Sequence, residues 1–172
     1  MSQNLMCGEW GQSLYYLSPL LSFSLGVFVA EQIENRFKEN RPLHWRQMIL
    51  LIEMAALALV GILPAHFNMA ANILVSFSCA MQVQTFRKVQ GYGYASTMCI
   101  GNLRSGAESL SQYFRSRDKM AMRKAITLFG IILFFAVGAG AGGILSGVFG
   151  IRTIWISVVI LFIVTVIMMK EE

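Results

Sequence analysis

The chain has 172 residues, of which 56% are hydrophobic and 13% charged, with a mean hydropathy of +0.59. A soluble domain carries about 25% charged residues, so this composition excludes an ordinary soluble globule and leaves a lipid-embedded protein. The net charge of +5 would suggest nucleic acid or an anionic surface in a soluble protein, but here the basic residues lie between apolar blocks, where membrane topology requires them, and no nucleic-acid partner is expected.

No charged residue falls between Glu9 and Glu31, and the first expected span is Leu14–Ile33. A stretch with four basic residues, Glu34–Arg46, separates it from the next uncharged run. The interval from Glu53 to Arg87 is too long for one membrane helix, which needs roughly 17 to 25 mostly apolar residues. Pro64-Ala65-His66-Phe67-Asn68 reads as a turn, which divides the run into spans Gln47–Leu63 and Met69–Phe86. The basic segment Arg87–Lys124 follows, then Ala125–Phe149, a lone Arg152, and Thr153–Met169. The expected fold is all-α, a polytopic transmembrane bundle of five spans forming one membrane domain over 1–172. Closed helical hydrogen bonding is how such apolar segments survive in hydrocarbon.

The basic residues also set an orientation. Lys and Arg number zero before the first span, four in Glu34–Arg46, zero in Pro64–Asn68, eight in Arg87–Lys124, one at Arg152 and one at Lys170. One set of alternate loops therefore holds 13 of the 14. The positive-inside rule places the N-terminus outside and the C-terminus in the cytoplasm. The residues before the first span lack a basic n-region, so no cleavable signal peptide is expected. Cys7, Cys79 and Cys99 form no CxxC pair, and neither a disulfide nor a metal centre nor any other cofactor is indicated.

Two segments resemble one another. Phe23-Ser24-Leu25-Gly26 with Ala30 parallels Phe135-Ala136-Val137-Gly138 with Gly142, at an offset of 112 residues. Both carry the small-xxx-small spacing that lets membrane helices approach closely. This implies two related three-helix units, a first and partial one over 1–63 and a second over 69–172. Three spans per unit would reverse the polarity of the second. The counterpart of Gly101 would fall upstream of Met1, so the first unit is expected to lack its opening helix.

The stretches "CAMQVQTFRKVQGYGYASTMCIGNLRSGAESL", "SPLLSFSLGVFVAE" and "FFAVGAGAGG" resemble the YoaK family of bacterial membrane proteins over essentially the whole chain. The resemblance implies a bacterial cell-membrane protein related to a six-helix form with a Thr-Gly-Asn-like element after its first and fourth helices. The matching positions are Gln84, Arg87, Gly101 and Asn102. Ile100 replaces the family's threonine, and Thr97 is the nearest hydroxyl that could substitute.

Glu53 is the sharpest single residue. It lies eight positions after Trp45, read as an interfacial anchor, hence roughly 12 Å deep at about 1.5 Å per residue. A carboxylate there costs on the order of 2.5–3.5 kcal/mol. It reads either as a proton-linked or cation-binding group or as a neutral acid bonded to a neighbouring helix. Asn72, Ser76, Ser78, Gln82 and Gln84 give the third span a polar stripe, but Gln82 and Gln84 point about 200° apart. Packing hydrogen bonds account for such residues cheaply, and Gln84 is the stronger site candidate through the family match. Gly138-Ala139-Gly140-Ala141-Gly142-Gly143 satisfies GxGxxG but lacks the strand–turn–helix context and the later acid of a dinucleotide site, so close helix packing is expected. Arg115, Arg117, Lys119, Arg123 and Lys124 read as a solvated or headgroup-contacting helix.

The stretch from Gly91 to Gly106 contains four glycines, which disfavour one rigid helix. It reads either as a broken helix with Gly101 and Asn102 at a solute site or as a plain connector. His44 and His66 are isolated, no nucleophile–His–acid set exists, and an enzyme is not expected. The leading expectation is a small-solute or ion permease with Glu53, Gln84, Gly101 and Asn102 as candidate binding residues. The rival is a non-transporting membrane subunit or lipid-interacting scaffold. The partners expected are the lipid bilayer and an unknown small solute, and a homo-oligomer stays open.

Overall fold

The computed structural model describes residues 6–37, 45–89, 91–94 and 99–170. Six α-helices occur among them: α1 (Trp10–Phe37), α2 (Trp45–Ile62), α3 (Asn68–Thr85), α4 (Cys99–Ser116), α5 (Lys119–Phe149) and α6 (Ile154–Lys170). A short hairpin, β1 (Lys88–Val89) and β2 (Tyr92–Gly93), pairs antiparallel between α3 and α4, and Gly91 takes the positive φ of 83° at its turn. Three helical stretches are long and apolar enough to cross a membrane: Trp10–Phe37, Trp45–Ile62 and the 52-residue run Lys119–Lys170. That run is interrupted at Gly150, whose φ of 59° caps α5 and opens the 3-10 turn Gly150–Thr153. Unbroken, it would measure about 78 Å, more than twice the hydrocarbon thickness. The turn expected over 64–68 is a short 3-10 helix, Ala65–Phe67, entered through Pro64.

The contacts divide the chain into two units, one of 1–85 with 151–172 and one of 86–150. This division follows packing, whereas the repeats 1–63 and 69–172 rest on sequence likeness, and neither implies the other.

In the first unit α1 lies against α3, α3 against α2, and α2 against α6. The α1–α3 seam is built from small residues. Ser22, Gly26 and Ala30, spaced four apart, are all buried on one face of α1. A Cβ on Gly26 would come 2.6 Å from the Phe77 carbonyl oxygen and 2.8 Å from the Ala80 Cβ. Ser22 Oγ donates to the Ile73 carbonyl oxygen at 2.8 Å. The small-xxx-small reading of this segment therefore holds for α1. Pro19 sits inside α1 and removes the N–H that would reach the Tyr15 carbonyl; the Ser18 hydroxyl donates to that oxygen instead, at 3.3 Å. Trp45, the first residue of α2, packs with Ala30, Ile49 and Met81, because α1 and α3 cover its face of α2.

In the second unit α4 and α5 pack together through mostly small residues at i, i+4, i+7 on both sides. Asn102, Gly106 and Ser109 of α4 and Ala121, Ala125 and Leu128 of α5 are the buried positions. Gly106 leaves room for the Phe129 ring, which a Cβ would meet at 3.2 Å. The glycines at 101 and 106 do not break the element: α4 runs without interruption from Cys99 to Ser116. Of the two readings left open for Gly91–Gly106, a helix broken at Gly101-Asn102 is not what is seen: Gly91 and Gly93 belong to the hairpin, and Gly101 and Gly106 lie within one helix. Strong amphipathicity and close packing offset a glycine cost of about 1 kcal/mol each.

Candidate functional site

A cavity of about 370 Å³ lies in the first unit where α2, α3 and α6 meet. The helices supply it by register. From α2, Glu53 and Leu57 stand one turn apart; from α3, Ser78 and Gln82 do the same, with Cys79 beside them. From α6, Ser157 and Leu161 again share a turn. Polar groups from three helices therefore converge among apolar walls.

Glu53 is 3% exposed and Ser78 1% exposed. The Glu53 Oε2 and the Ser78 Oγ are buried with no hydrogen-bond partner among the described residues. Each such group costs about 1–3 kcal/mol, and more where it is charged. Other polar side chains of α3 do find partners. Thr85 Oγ1 donates to the Met81 carbonyl oxygen at 2.7 Å, and Asn72 Nδ2 donates to the Tyr15 hydroxyl at 3.3 Å. A carboxylate, two hydroxyls and an amide lining one cavity can hold a proton, a cation or an ammonium group. Among the described residues no three His, Cys, Asp or Glu side chains cluster as metal ligands.

The sequence-derived candidates separate. Glu53 lies in the cavity. Gln84 does not: its amide donates to the Glu31 carboxylate and ties α3 to α1. Gly101 and Asn102 belong to the second unit, at the start of α4, where Gly101 is exposed and Asn102 is buried with a polar partner. Ser78, Gln82 and Ser157 escaped the sequence reading as members of one site. The spacing of Val75, Ser78, Cys79 and Gln82 marks a single face of α3 and was the available signal. The glycine-rich segment Gly138–Gly143 is continuous helix within α5, but Cβ atoms on Gly138, Gly140, Gly142 and Gly143 would meet nothing within 4 Å. Close packing at these glycines is not seen among the described residues, in contrast to Gly26.

The class defined by this architecture is a multi-helix protein whose long apolar helices are compatible with membrane insertion. The chain belongs to the family described as protein of unknown function DUF1275, whose model matches residues 1–167. No curated protein and no solved structure matches it.

Proposed function

We propose that the protein is a small-solute or ion permease of the bacterial cell membrane in which Glu53 carries the coupling proton or binds the cationic group of the solute. The observation that carries this reading is the pairing of two orphaned polar atoms, Glu53 Oε2 and Ser78 Oγ, in one cavity between three helices. A buried carboxylate without a partner is costly in any packed interface, and a function that supplies the partner transiently accounts for its retention. The five-span topology with an external N-terminus, the two oppositely oriented repeats and the YoaK-like resemblance belong to the same proposal. Membrane transporters place their sites near the midplane between such helices. In this reading the protein catalyses no covalent step.

The rival reading is a non-transporting subunit or scaffold. It is favoured by the helix-to-helix bonds Ser22–Ile73, Asn72–Tyr15 and Gln84–Glu31, all of which serve cohesion.

The two readings separate in proteoliposomes loaded with a pH-sensitive dye and challenged with a panel of small amines and monovalent cations. Under the permease reading at least one compound drives a flux, and Glu53→Gln abolishes it while abundance and melting temperature stay unchanged. Gln keeps size and hydrogen-bonding capacity and removes the titratable charge. If Glu53 is only packing glue, Gln is neutral and Glu53→Leu lowers the melting temperature. Undiminished flux in the Gln variant would remove Glu53 as charge carrier.

A further inference from the structure

We propose that the corner between α4 and α5 is a binding site for an anionic phospholipid of the surrounding bilayer. The proposal does not depend on transport. Arg117 ends α4 in the left-handed region, with a φ of 54°, and its N–H donates to the Tyr113 carbonyl oxygen at 2.8 Å. Asp118 then caps α5, accepting from the Met120 N–H at 2.9 Å. This two-residue turn brings the last turn of α4 against the first turns of α5. Between them lies a cavity of about 440 Å³ lined by Tyr113, Lys119, Met122, Arg123, Ile126 and Thr127.

Its lining has two ends of different chemistry. Lys119 and Arg123 are one helical turn apart and present two cations on the same face. The Arg117 guanidinium lies 5.9 Å over the Tyr113 ring and adds a third cation at the corner. The first turn of α5 contributes the positive end of a 31-residue helix. Asp118 is the acid at the corner, and its carboxylate is engaged in the cap. Met122 and Ile126, also one turn apart, form the apolar end, and the Thr127 hydroxyl is taken up by the Arg123 carbonyl oxygen at 3.0 Å.

Position decides between a free phosphate and a lipid. Lys124 is the last charge before the uncharged run that ends at Arg152, so the cavity stands where the apolar length of α5 begins. In a membrane-spanning helix this is the headgroup level. A phosphodiester would meet Lys119 and Arg123 while the glycerol and upper acyl chain lie along Met122 and Ile126. Inorganic phosphate would use the basic end alone and leave the apolar end without a role. Both cations are exposed side chains, so binding does not require a charge to be buried first.

The test uses the full-length protein in detergent, titrated with phosphatidylglycerol or phosphatidylcholine and read by native mass spectrometry. Phosphatidylglycerol should be retained preferentially. Lys119→Gln with Arg123→Gln should weaken its retention about 30-fold, at about fivefold for each cation near the surface. Arg104→Gln with Arg115→Gln removes the same charge from exposed positions of α4 outside the cavity and should leave retention within about twofold of wild type. Ile126→Trp fills the apolar end without changing charge and should also reduce retention, with circular dichroism unchanged. Glycerol 3-phosphate should not displace the lipid at matched concentration. Equal losses in the two charge pairs, equal retention of phosphatidylcholine, an unaffected Ile126→Trp, or displacement by glycerol 3-phosphate would each overturn the site.

Discussion

Replacing Gly26 by alanine adds one methyl group where α1 and α3 approach closely. The new Cβ would stand 2.6 Å from the Phe77 carbonyl oxygen and 2.8 Å from the Ala80 Cβ. Phe77 contributes backbone here, so no side-chain rotation relieves the clash, and α1 and α3 must part by on the order of 0.8 Å to restore ordinary contact. Parting of that size forfeits a quarter to a half of the dispersion between facing atoms. It also stretches the Ser22 to Ile73 bond one turn away, now 2.8 Å. Over-packing of this kind costs about 1–3 kcal/mol, and alanine's better helix propensity returns about 1. The expected net loss is up to about 2 kcal/mol, rising to about 3 for Gly26→Leu. Gly138→Ala is the matched control, because the same motif there meets open space. Thermal unfolding in mild detergent, followed by tryptophan emission, should show Gly26→Ala melting several degrees lower and Gly138→Ala at or above wild type. If Gly26→Ala is as stable as wild type while Gly138→Ala is destabilised, the small face of α1 is not the contact that holds α3.

The orientation predicts that exposed Cys7 reacts from outside with a membrane-impermeant maleimide in intact cells, in a background lacking Cys79 and Cys99. Ser116→Cys should react only after permeabilisation, and the reverse pattern would invert the topology. Tyr94, whose N–H donates to the Arg87 carbonyl oxygen at 3.0 Å, is held above the ordinary tyrosine range because burial disfavours its phenolate. The neutral phenol is therefore favoured in the folded state. Its contribution to stability is present below pH about 10, the unfolded value, and lost as pH rises through the higher folded value. Absorbance at 295 nm should show one late-ionising tyrosine that disappears in Tyr94→Phe, and an unchanged titration curve in that variant would refute the assignment.

The helices themselves are legible in the residues, because helix formation is local. The apolar runs around Leu14–Ile33, Gln47–Leu63, Met69–Phe86, Ala125–Phe149 and Thr153–Met169 are helical, and Pro64 marks the turn between α2 and α3. The buried face of α1 is legible for the same reason, since Ser22, Gly26 and Ala30 repeat every four residues. Spacing also shows that Gln82 and Gln84 oppose each other, but not which of them meets Glu53. Only the tertiary arrangement, with α2 and α6 lining a cavity on one side of α3 and α1 packed on another, decides that Gln82 joins the cavity and Gln84 joins Glu31. Gly26 and Gly138 make the same point, since nearly the same local sequence is tightly covered in one helix and open in the other. Gly101 and Asn102 show the converse. Local glycine content argues for a break, and the long amphipathic face of α4 packed on α5 holds the helix together regardless. A residue's neighbours four positions away are set by the chain, whereas the partner across a helix face is set by which distant segment is brought there.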